Sequence, residues 1–369
     1  MGTQTQVNKS ENKNIKNKAS SFFKVFSIST AIFLIIISIM AGLYLTSTIK
    51  PPEIPIMVVA ADTLPEIDMP AFTALEGEEA DMLIGDGLIA PTGFTDEDRK
   101  VSFYTFLIVG LDEGINSDAI MVASYDAGIK EGNVISIPRD SLVNVSRRIR
   151  KINAAFPAGT IYGGGLEGGV AQLSREVKTV IGFVPDYYVC IDLDAFVKIV
   201  NAVGGVEVDV PFHMRYRDPD QGLYIDIKKG LQLLDGETAL KFARYRLGNG
   251  SRSITDYQRM EHQQMVIKAV LASLLKPANI LKIPQFIDIF NENVHTDLTT
   301  GNMLWFASQL IEIRGTDSLS THTLPTNGNI ITPISYELLD APAIVELVNR
   351  TINPFKIDIE IKDLDIVTE

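Results

Sequence analysis

The fold is decided by residues 103–140, which read FYTFLIVGLDEGINSDAIMVASYDAGIKEGNVISIPRD. This stretch holds three apolar runs of strand length, at 103–111, 119–125 and 133–138. Apolar runs of this length, bounded by turn residues, are typical of buried β-strands. We therefore predict three consecutive strands, with polar side chains at the points where they end.

The rest of the chain alternates between helical and strand-like patterns. Helices are predicted at 166–182, 194–205, 236–243, 256–276, 301–313 and 336–352. Further strands are predicted at 187–193, 206–212, 244–247 and 320–325. This alternation predicts the α/β class, in one layered domain over 103–369. Its core motifs span 106–264, and 277–369 form a C-terminal helical extension.

The first 49 residues have the pattern of a membrane anchor. Residues 1–24 carry five lysines and one glutamate, and the 25 residues of 25–49 carry no charge. A helix of that length rises about 37 Å and can cross a hydrocarbon core of about 30 Å. We expect a retained single-pass anchor in the cell membrane, with a cytoplasmic tail at 1–24 and the main domain outside. The alternative is a cleaved signal peptide, whose apolar region is usually shorter.

Residues 50–102 are rich in proline and acidic side chains, which predicts an extended linker or, alternatively, a small irregular subdomain. The whole chain of 369 residues has a net charge of −13, which argues against nucleic-acid binding. Its single cysteine excludes an intramolecular disulfide. The four histidines show no metal-ligand spacing, so zinc chemistry is not expected.

Two carboxylates flank the short turn between the first two strands. Asp112 ends the first strand, Asp118 begins the second, and only EGINS separates them. Carboxylates this close repel each other, and a shared hard cation or a basic group relieves the repulsion. The alternative is that both are ordinary turn formers.

Basic residues follow other predicted elements. Arg139 follows the third strand, at the kind of strand end where ligands bind in open α/β sheets. Lys151 precedes a glycine-rich loop. Arg244 and Arg246 are two apart in a predicted strand, which puts both guanidinium groups on one face, where an anion between them relieves their repulsion. Solvated arginines and surface ion pairs are the alternatives.

The long predicted helix begins with a concentration of polar groups. Thr255 and Gln258 form a capping-box pattern. Asp256, Arg259 and Gln263 then project within about 60° of one another. The first turn of a helix favours anions, although a simple Asp–Arg pair within the helix is also common. Taken together, the acids, the arginines and this helix end fit a pyrophosphate held with a divalent cation.

Several of these stretches are also family motifs. The motifs are FLIVGLD, SDAIMVASYD, VISIPRD, KINAAF, VPDYYVCIDLDAFVKIVNAVGGVEVDVPF, LDGETALKFARYR and DYQRMEHQQ, in that order from 106 to about 264. On these residues the chain resembles the LytR-CpsA-Psr family of Gram-positive cell-envelope proteins. The resemblance implies an α/β/α domain with a central mixed sheet and a hydrophobic tunnel for a polyprenyl chain.

The resemblance also implies an enzyme, a phosphotransferase that uses Mg²⁺ or Mn²⁺. It would move an anionic glycopolymer, of teichoic-acid or capsular type, from undecaprenyl pyrophosphate to peptidoglycan and release undecaprenyl phosphate. Asp112 and Asp118 would hold the metal, and Asp256 is the candidate base. The pyrophosphate ligands would be Arg139, Lys151, Arg244, Arg246, Arg259 and Gln263.

One departure from the family pattern keeps two other functions open. The family usually has a longer loop between the two aspartates, with an arginine soon after the first. Here the loop is short and Glu113 follows Asp112. A non-catalytic polyprenyl-phosphate-binding sensor, or a pyrophosphatase that uses water as the acceptor, are therefore the alternatives.

Overall fold

A six-stranded mixed sheet lies at the centre of the protein in this computed structural model. Its strands, in spatial order, are β10 (Leu319–Thr323), β3 (Glu131–Ile137), β2 (Ser117–Asp126), β1 (Phe103–Leu111), β4 (Tyr187–Ile191) and β9 (His295–Thr296). β1 pairs antiparallel with β2 and parallel with β4, while β10 pairs parallel with β3. The predicted α/β class with a central mixed sheet is therefore confirmed.

The described part of the chain begins after the predicted anchor. The structure describes residues 50–54, 94–112, 116–219, 223–248, 252–280, 282–310, 312, 315–331 and 333–367. The predicted tail at 1–24 and anchor at 25–49 lie outside these ranges. Within them, no helix is both long enough and apolar enough to cross a bilayer.

Nine helices are seen in the described ranges, and they pack on both faces of the sheet. They are α1 (Ala155–Tyr162), α2 (Leu166–Ile181), α3 (Leu193–Ala202), α4 (Gly236–Arg244), α5 (Asp256–Leu274), α6 (Pro277–Ile280), α7 (Ile283–Asn293), α8 (Thr300–Leu310) and α9 (Ala341–Thr351). On one face, Leu107 and Val109 of β1 join a core cluster with Val177 of α2 and Ile344 of α9. The intervening residues Phe106 and Ile108 face a groove covered by α5, α7 and α8. The alternation of side chains along β1 thus gives each face its own helical layer.

A second core positions α5 from the side away from the sheet. It contains two small antiparallel pairs, β5 (Val206–Val210) with β8 (Gly230–Leu234), and β6 (Met214–Asp218) with β7 (Leu223–Ile227). Phe242 of α4 and Val266 of α5 are buried among them. Helix α5 therefore contacts this second core through Val266 and the central sheet through Gln264, whose Nε2 donates to Ser136 Oγ on β3 at 2.9 Å.

Local capping explains where the helices begin. The Thr255 side chain accepts a hydrogen bond from Gln258 N, and the Gln258 side chain accepts one from Thr255 N, so the predicted capping box is present. Asp192 and Asp235 cap α3 and α4 in the same way. These side chains satisfy amide groups that the first helical turn leaves unpaired.

Two secondary-structure predictions are wrong. The strand predicted at 244–247 does not form, because Arg244 is the last residue of α4 and the chain leaves the helix at Tyr245. The helix predicted at 336–352 begins only at Ala341, where Asp340 caps it. Its first residues instead form strand β12 (Ser335–Leu339), which pairs with β11 (Thr326–Ile331).

The ends of the folded domain also differ from the prediction. The predicted helical extension at 277–369 contains strands as well as helices, and β10 completes one edge of the central sheet. Residues 94–102 are packed on the domain and are not linker, since Arg99 is buried against Asp186 with 2.7 Å between Nη2 and Oδ1. The folded part therefore begins at least nine residues before Phe103.

Candidate functional site

A cavity of about 440 Å³ lies at the carboxyl ends of β1 and β4. Gly110 and Leu111 of β1 line this cavity, and so does Gln263 of α5. Gly110 allows a close approach here, because a Cβ atom at this position would lie 3.0 Å from Cβ of Ala119. Six of the predicted charged site residues line this cavity: they are Asp112, Asp118, Arg139, Arg244, Arg246 and Arg259.

Four side chains near the cavity form a chain of alternating charge. Arg139 Nη1 lies 2.7 Å from Asp118 Oδ1, and its Nε lies 3.7 Å from Asp256 Oδ1. Arg259 Nη2 lies 2.9 Å from the same oxygen of Asp256. The structure thus brings together the end of β3, the start of β2 and the first turn of α5.

This chain leaves buried polar groups without hydrogen bonds among the described residues. They are Nε of Arg139, Nε of Arg259 and Oδ1 of Asp256, whose 2.9 Å approach to Arg259 lacks hydrogen-bond alignment. Burial lowers the pKa of Arg259, and the nearby charge of Arg139 acts in the same direction against the attraction of Asp256. Crowded guanidinium groups with unused donors favour an anionic ligand.

The two candidate metal ligands, Asp112 and Asp118, both line the cavity. Both oxygens of Asp112 accept hydrogen bonds from Asn116, at 2.8 and 2.9 Å, so this aspartate also closes the turn. Groups of three or more potential metal ligands are absent from the residues described. Magnesium is usually held by one or two carboxylates together with substrate phosphates. Asp112 and Asp118 fit that kind of site, and they do not fit a site built from protein groups alone.

The remaining predicted ligands are placed differently. Arg244 and Arg246 share the cavity, although not through strand periodicity, because Arg244 lies in the last turn of α4 and Arg246 follows the helix. Lys151 does not line the cavity, and its Nζ pairs with Asp140 Oδ1 at 2.9 Å.

An apolar groove of about 490 Å³ continues from the cavity. It lies between the sheet and helices α5, α7 and α8, with Phe106, Ala123, Leu271, Phe290 and Phe306 among its lining residues. Ile108 and Ile267 line both the cavity and the groove. A ligand that fills both spaces has a charged head and a long apolar tail.

A family model described as the LytR_cpsA_psr family matches residues 91–353. The chain belongs to the LytR-CpsA-Psr family. The match begins before Phe103, in agreement with the packing of residues 94–102, and it includes the carboxy-terminal strands.

Individual LytR-CpsA-Psr relatives have two kinds of name. Polyisoprenyl-teichoic acid–peptidoglycan teichoic acid transferase TagV of Bacillus subtilis is 30% identical over 54% of this chain and 51% of TagV. Biofilm regulatory protein A of Streptococcus mutans is 25% identical over 67% of this chain and 62% of that protein. The chain therefore spans about half the length of TagV.

The fold is also that of a solved LytR-CpsA-Psr structure. The crystal structure of B. subtilis TagV aligns over 67% of this chain and 95% of the TagV chain, with a TM-score of 0.54 and 26% identity. The similarity supports the layered arrangement described above.

Two features of the site were missed by reasoning from the sequence. Tyr216 and Leu223 of the β6–β7 hairpin line the cavity, but no strand was predicted between 213 and 235. Glu337 hydrogen-bonds Tyr257, the neighbour of Asp256, across 80 residues of sequence. A period-2 pattern at 335–338, where buried Tyr336 and Leu338 alternate with Ser335 and Glu337, was the available signal.

Proposed function

We propose that this protein is a membrane-anchored phosphotransferase of the cell envelope. It transfers an anionic glycopolymer from an undecaprenyl-pyrophosphate carrier to peptidoglycan. Residues 25–49 hold it in the membrane, residues 1–24 lie in the cytoplasm, and the folded domain lies outside, in a Gram-positive-type envelope. The observation that carries the proposal is a cavity lined by four arginines that opens into an apolar groove.

The donor follows from the shape and charge of these two spaces. Arg139, Arg244, Arg246 and Arg259 neutralise the oxygens of a pyrophosphate, and Gln263 donates a hydrogen bond beside them. The groove binds the first isoprene units of the lipid, because its lining is mostly apolar and binding there buries apolar surface. The name of TagV supports a teichoic-acid type of polymer for this chain.

A divalent cation fits the same head group. Mg²⁺ or Mn²⁺ would be held by Asp112 and Asp118 together with phosphate oxygens, and would neutralise charge on the pyrophosphate. The arginines supply the remaining positive charge. Asp118 orients the Arg139 side chain and Asp256 orients the Arg259 side chain through these ion pairs.

The transfer is a displacement at the phosphorus that carries the glycopolymer. A peptidoglycan hydroxyl oxygen forms the new bond to this phosphorus, and its proton passes to the carboxylate of Asp256. The bond from the phosphorus to the bridging oxygen breaks, and undecaprenyl phosphate leaves with that oxygen and the bonding electrons. Arg139 and Arg259 stabilise the charge that accumulates on the phosphoryl oxygens.

Product analysis tests this proposal. The full chain in detergent is mixed with a polyprenyl-pyrophosphate-linked disaccharide and uncrosslinked peptidoglycan glycan strands, with and without Mg²⁺, and products are followed by mass spectrometry. We expect sugar phosphate on the glycan and equimolar polyprenyl phosphate. Release of free sugar phosphate would instead identify a pyrophosphatase that uses water as the acceptor.

A second candidate function is a non-catalytic lipid-phosphate sensor. It is favoured by the hydrogen bonds that engage both oxygens of Asp112 within its own turn. The name of the S. mutans relative, a regulatory protein, is compatible with it. Lipid that binds but is recovered unchanged in the experiment above would support this function and exclude transfer.

A further inference from the structure

A second polar cluster lies outside the arginine-lined cavity, and we call it the outer cluster. It consists of Tyr257 on α5, Glu337 on β12, and Thr326 and Asn329 on β11. The Tyr257 hydroxyl hydrogen-bonds Thr326 and donates to Glu337 Oε2 at 3.4 Å. The Asn329 amide, turned so that its nitrogen faces Glu337, donates to the same oxygen at 2.6 Å. The cluster thus joins α5 to the β11–β12 hairpin.

The outer cluster is connected to residues that adjoin, in sequence, the ion pairs of the cavity. Tyr257 follows Asp256, and Glu337 N donates to the carbonyl oxygen of Asp140, which follows Arg139. Arg139 and Asp256 themselves are 3.7 Å apart. The contact between Tyr257 and Glu337 therefore runs beside the contact between Asp256 and Arg139.

The cluster is open to solvent. Asn329 is exposed in the hairpin, and Tyr257, Thr326 and Glu337 are only partly buried. Burial raises the pKa of Glu337, and the charges of Asp140 and Asp256 raise it further. A ligand can therefore reach a hydroxyl pair, an amide and a carboxylate that stand within a few ångströms of one another.

The residues of helix α5 line the groove, the cavity and the outer cluster in turn, from its carboxyl end to its amino end. Ile267 and Leu271 line the groove, Arg259 and Gln263 line the cavity, and Asp256 and Tyr257 form the first turn. At about 1.5 Å per residue, the groove residue Ile267 is about 12 Å along the axis from Arg259. In phosphoryl transfer the attacking and leaving oxygens lie roughly in line with the phosphorus. The lipid leaves toward the groove, so the acceptor enters from the amino-terminal end of α5.

We propose that the outer cluster is the subsite for the carbohydrate acceptor, which is a glycan strand with free hydroxyl and acetamido groups. This proposal rests on the proposed function. Tyr257, Asn329 and Glu337 supply the donors and the acceptor that fix the orientation of a sugar ring. Lys151, held by Asp140, is the nearby cation for a sugar that carries a carboxylate.

The experiment separates acceptor binding from donor binding. Initial transfer rates of the full chain in detergent are measured with glycan strands varied at saturating donor, and with donor varied at saturating glycan. The variants are Glu337→Gln and Tyr257→Phe, which preserve shape. The matched controls are Glu346→Gln and Tyr162→Phe, at exposed positions on α9 and α1.

We expect each cluster variant to raise KM for the glycan strand about tenfold, the usual effect of one lost hydrogen bond to a charged group. KM for the donor stays within twofold of the wild type, and both controls behave as wild type. An unchanged acceptor KM, or an equal rise in both KM values, overturns the subsite. If Glu337→Gln does not fold, the exposed Asn329→Ala is measured against the same criteria. Failure of the wild type to transfer would instead overturn the proposed function.

Discussion

Replacing Arg259 by alanine removes the guanidinium at the centre of the cavity. Arg259 is 6% exposed, and its Nη2 lies 2.9 Å from Asp256 Oδ1. The change removes one positive charge and one unused Nε–H donor, and it leaves Asp256 with Arg139 as its other basic neighbour, at 3.7 Å. The remaining cavity arginines stay in place, so the variant isolates one contact to the phosphoryl group.

The size of the effect follows from the kind of contact that is lost. Removal of one preorganised donor to a developing oxyanion costs roughly 100- to 1,000-fold in rate. A single arginine in phosphoryl transfer is worth roughly 10³- to 10⁵-fold. Because three other arginines share the charge in this cavity, we expect the lower range, at least about 100-fold in kcat/KM. This corresponds to about 2.7 kcal/mol of transition-state stabilisation.

The assay measures release of polyprenyl phosphate from the saccharide donor by the full chain. Arg350→Ala, in the exposed last turn of α9, is the matched control and is expected to retain wild-type turnover. Arg259→Lys keeps a charge but not the planar fork, so it falls between the wild type and the alanine variant. A kcat/KM of Arg259→Ala within threefold of the wild type, with a normal thermal midpoint, would refute this assignment.

Four further outcomes are expected. Asp118→Asn abolishes the rise in transfer rate on addition of Mg²⁺, whereas an unchanged metal titration would make this carboxylate only a turn residue. Ala123→Trp fills part of the apolar groove and weakens the binding of a long-chain donor at least about tenfold, because two methylene groups of the lipid chain lose their burial there. The binding of a short-chain donor, measured in parallel, is unaffected. Asp186→Ala leaves a buried guanidinium unpaired and lowers the free energy of unfolding by about 3–5 kcal/mol, measured by urea denaturation. Burial lowers the pKa of His262 from 6.5 to about 4, so between these pH values the unfolded chain binds a proton that the folded chain does not bind. The free energy of unfolding therefore falls as the pH drops from 6.5 to about 4. His262→Phe removes this part of the dependence of the thermal midpoint on pH.

Much of the site could be predicted because its residues lie at the ends of locally encoded elements. Asp118 and Arg139 flank apolar strand runs, and Asp256 follows the Thr255 cap. The structure brings these three together through Arg139, as strand ends and helix starts in a layered α/β fold commonly meet. Lys151 was also predicted as a ligand, but its ammonium group pairs with Asp140. The spacing of residues along the sequence does not predict that contact.

Errors in secondary structure occurred where local preference was ambiguous. RYRL at 244–247 has a strand-like composition, yet the helix capped by Asp235 continues through Arg244. At 335–339 the apolar residues are compatible with either a helix or a strand. The segment forms a strand because it pairs with β11. In both cases the deciding interaction lies outside the segment itself.

The sequence by itself determined the α/β class, the family motifs and the start of α5 after its Thr255 cap, because capping and periodicity act within one or two turns of chain. The tertiary structure alone decided that β10 closes the sheet edge, that the cavity continues into the groove, and that Glu337 meets Tyr257. Those contacts join residues far apart in sequence. They form only when α5 packs between the second core and the central sheet, and packing of that kind depends on the shape of the whole domain.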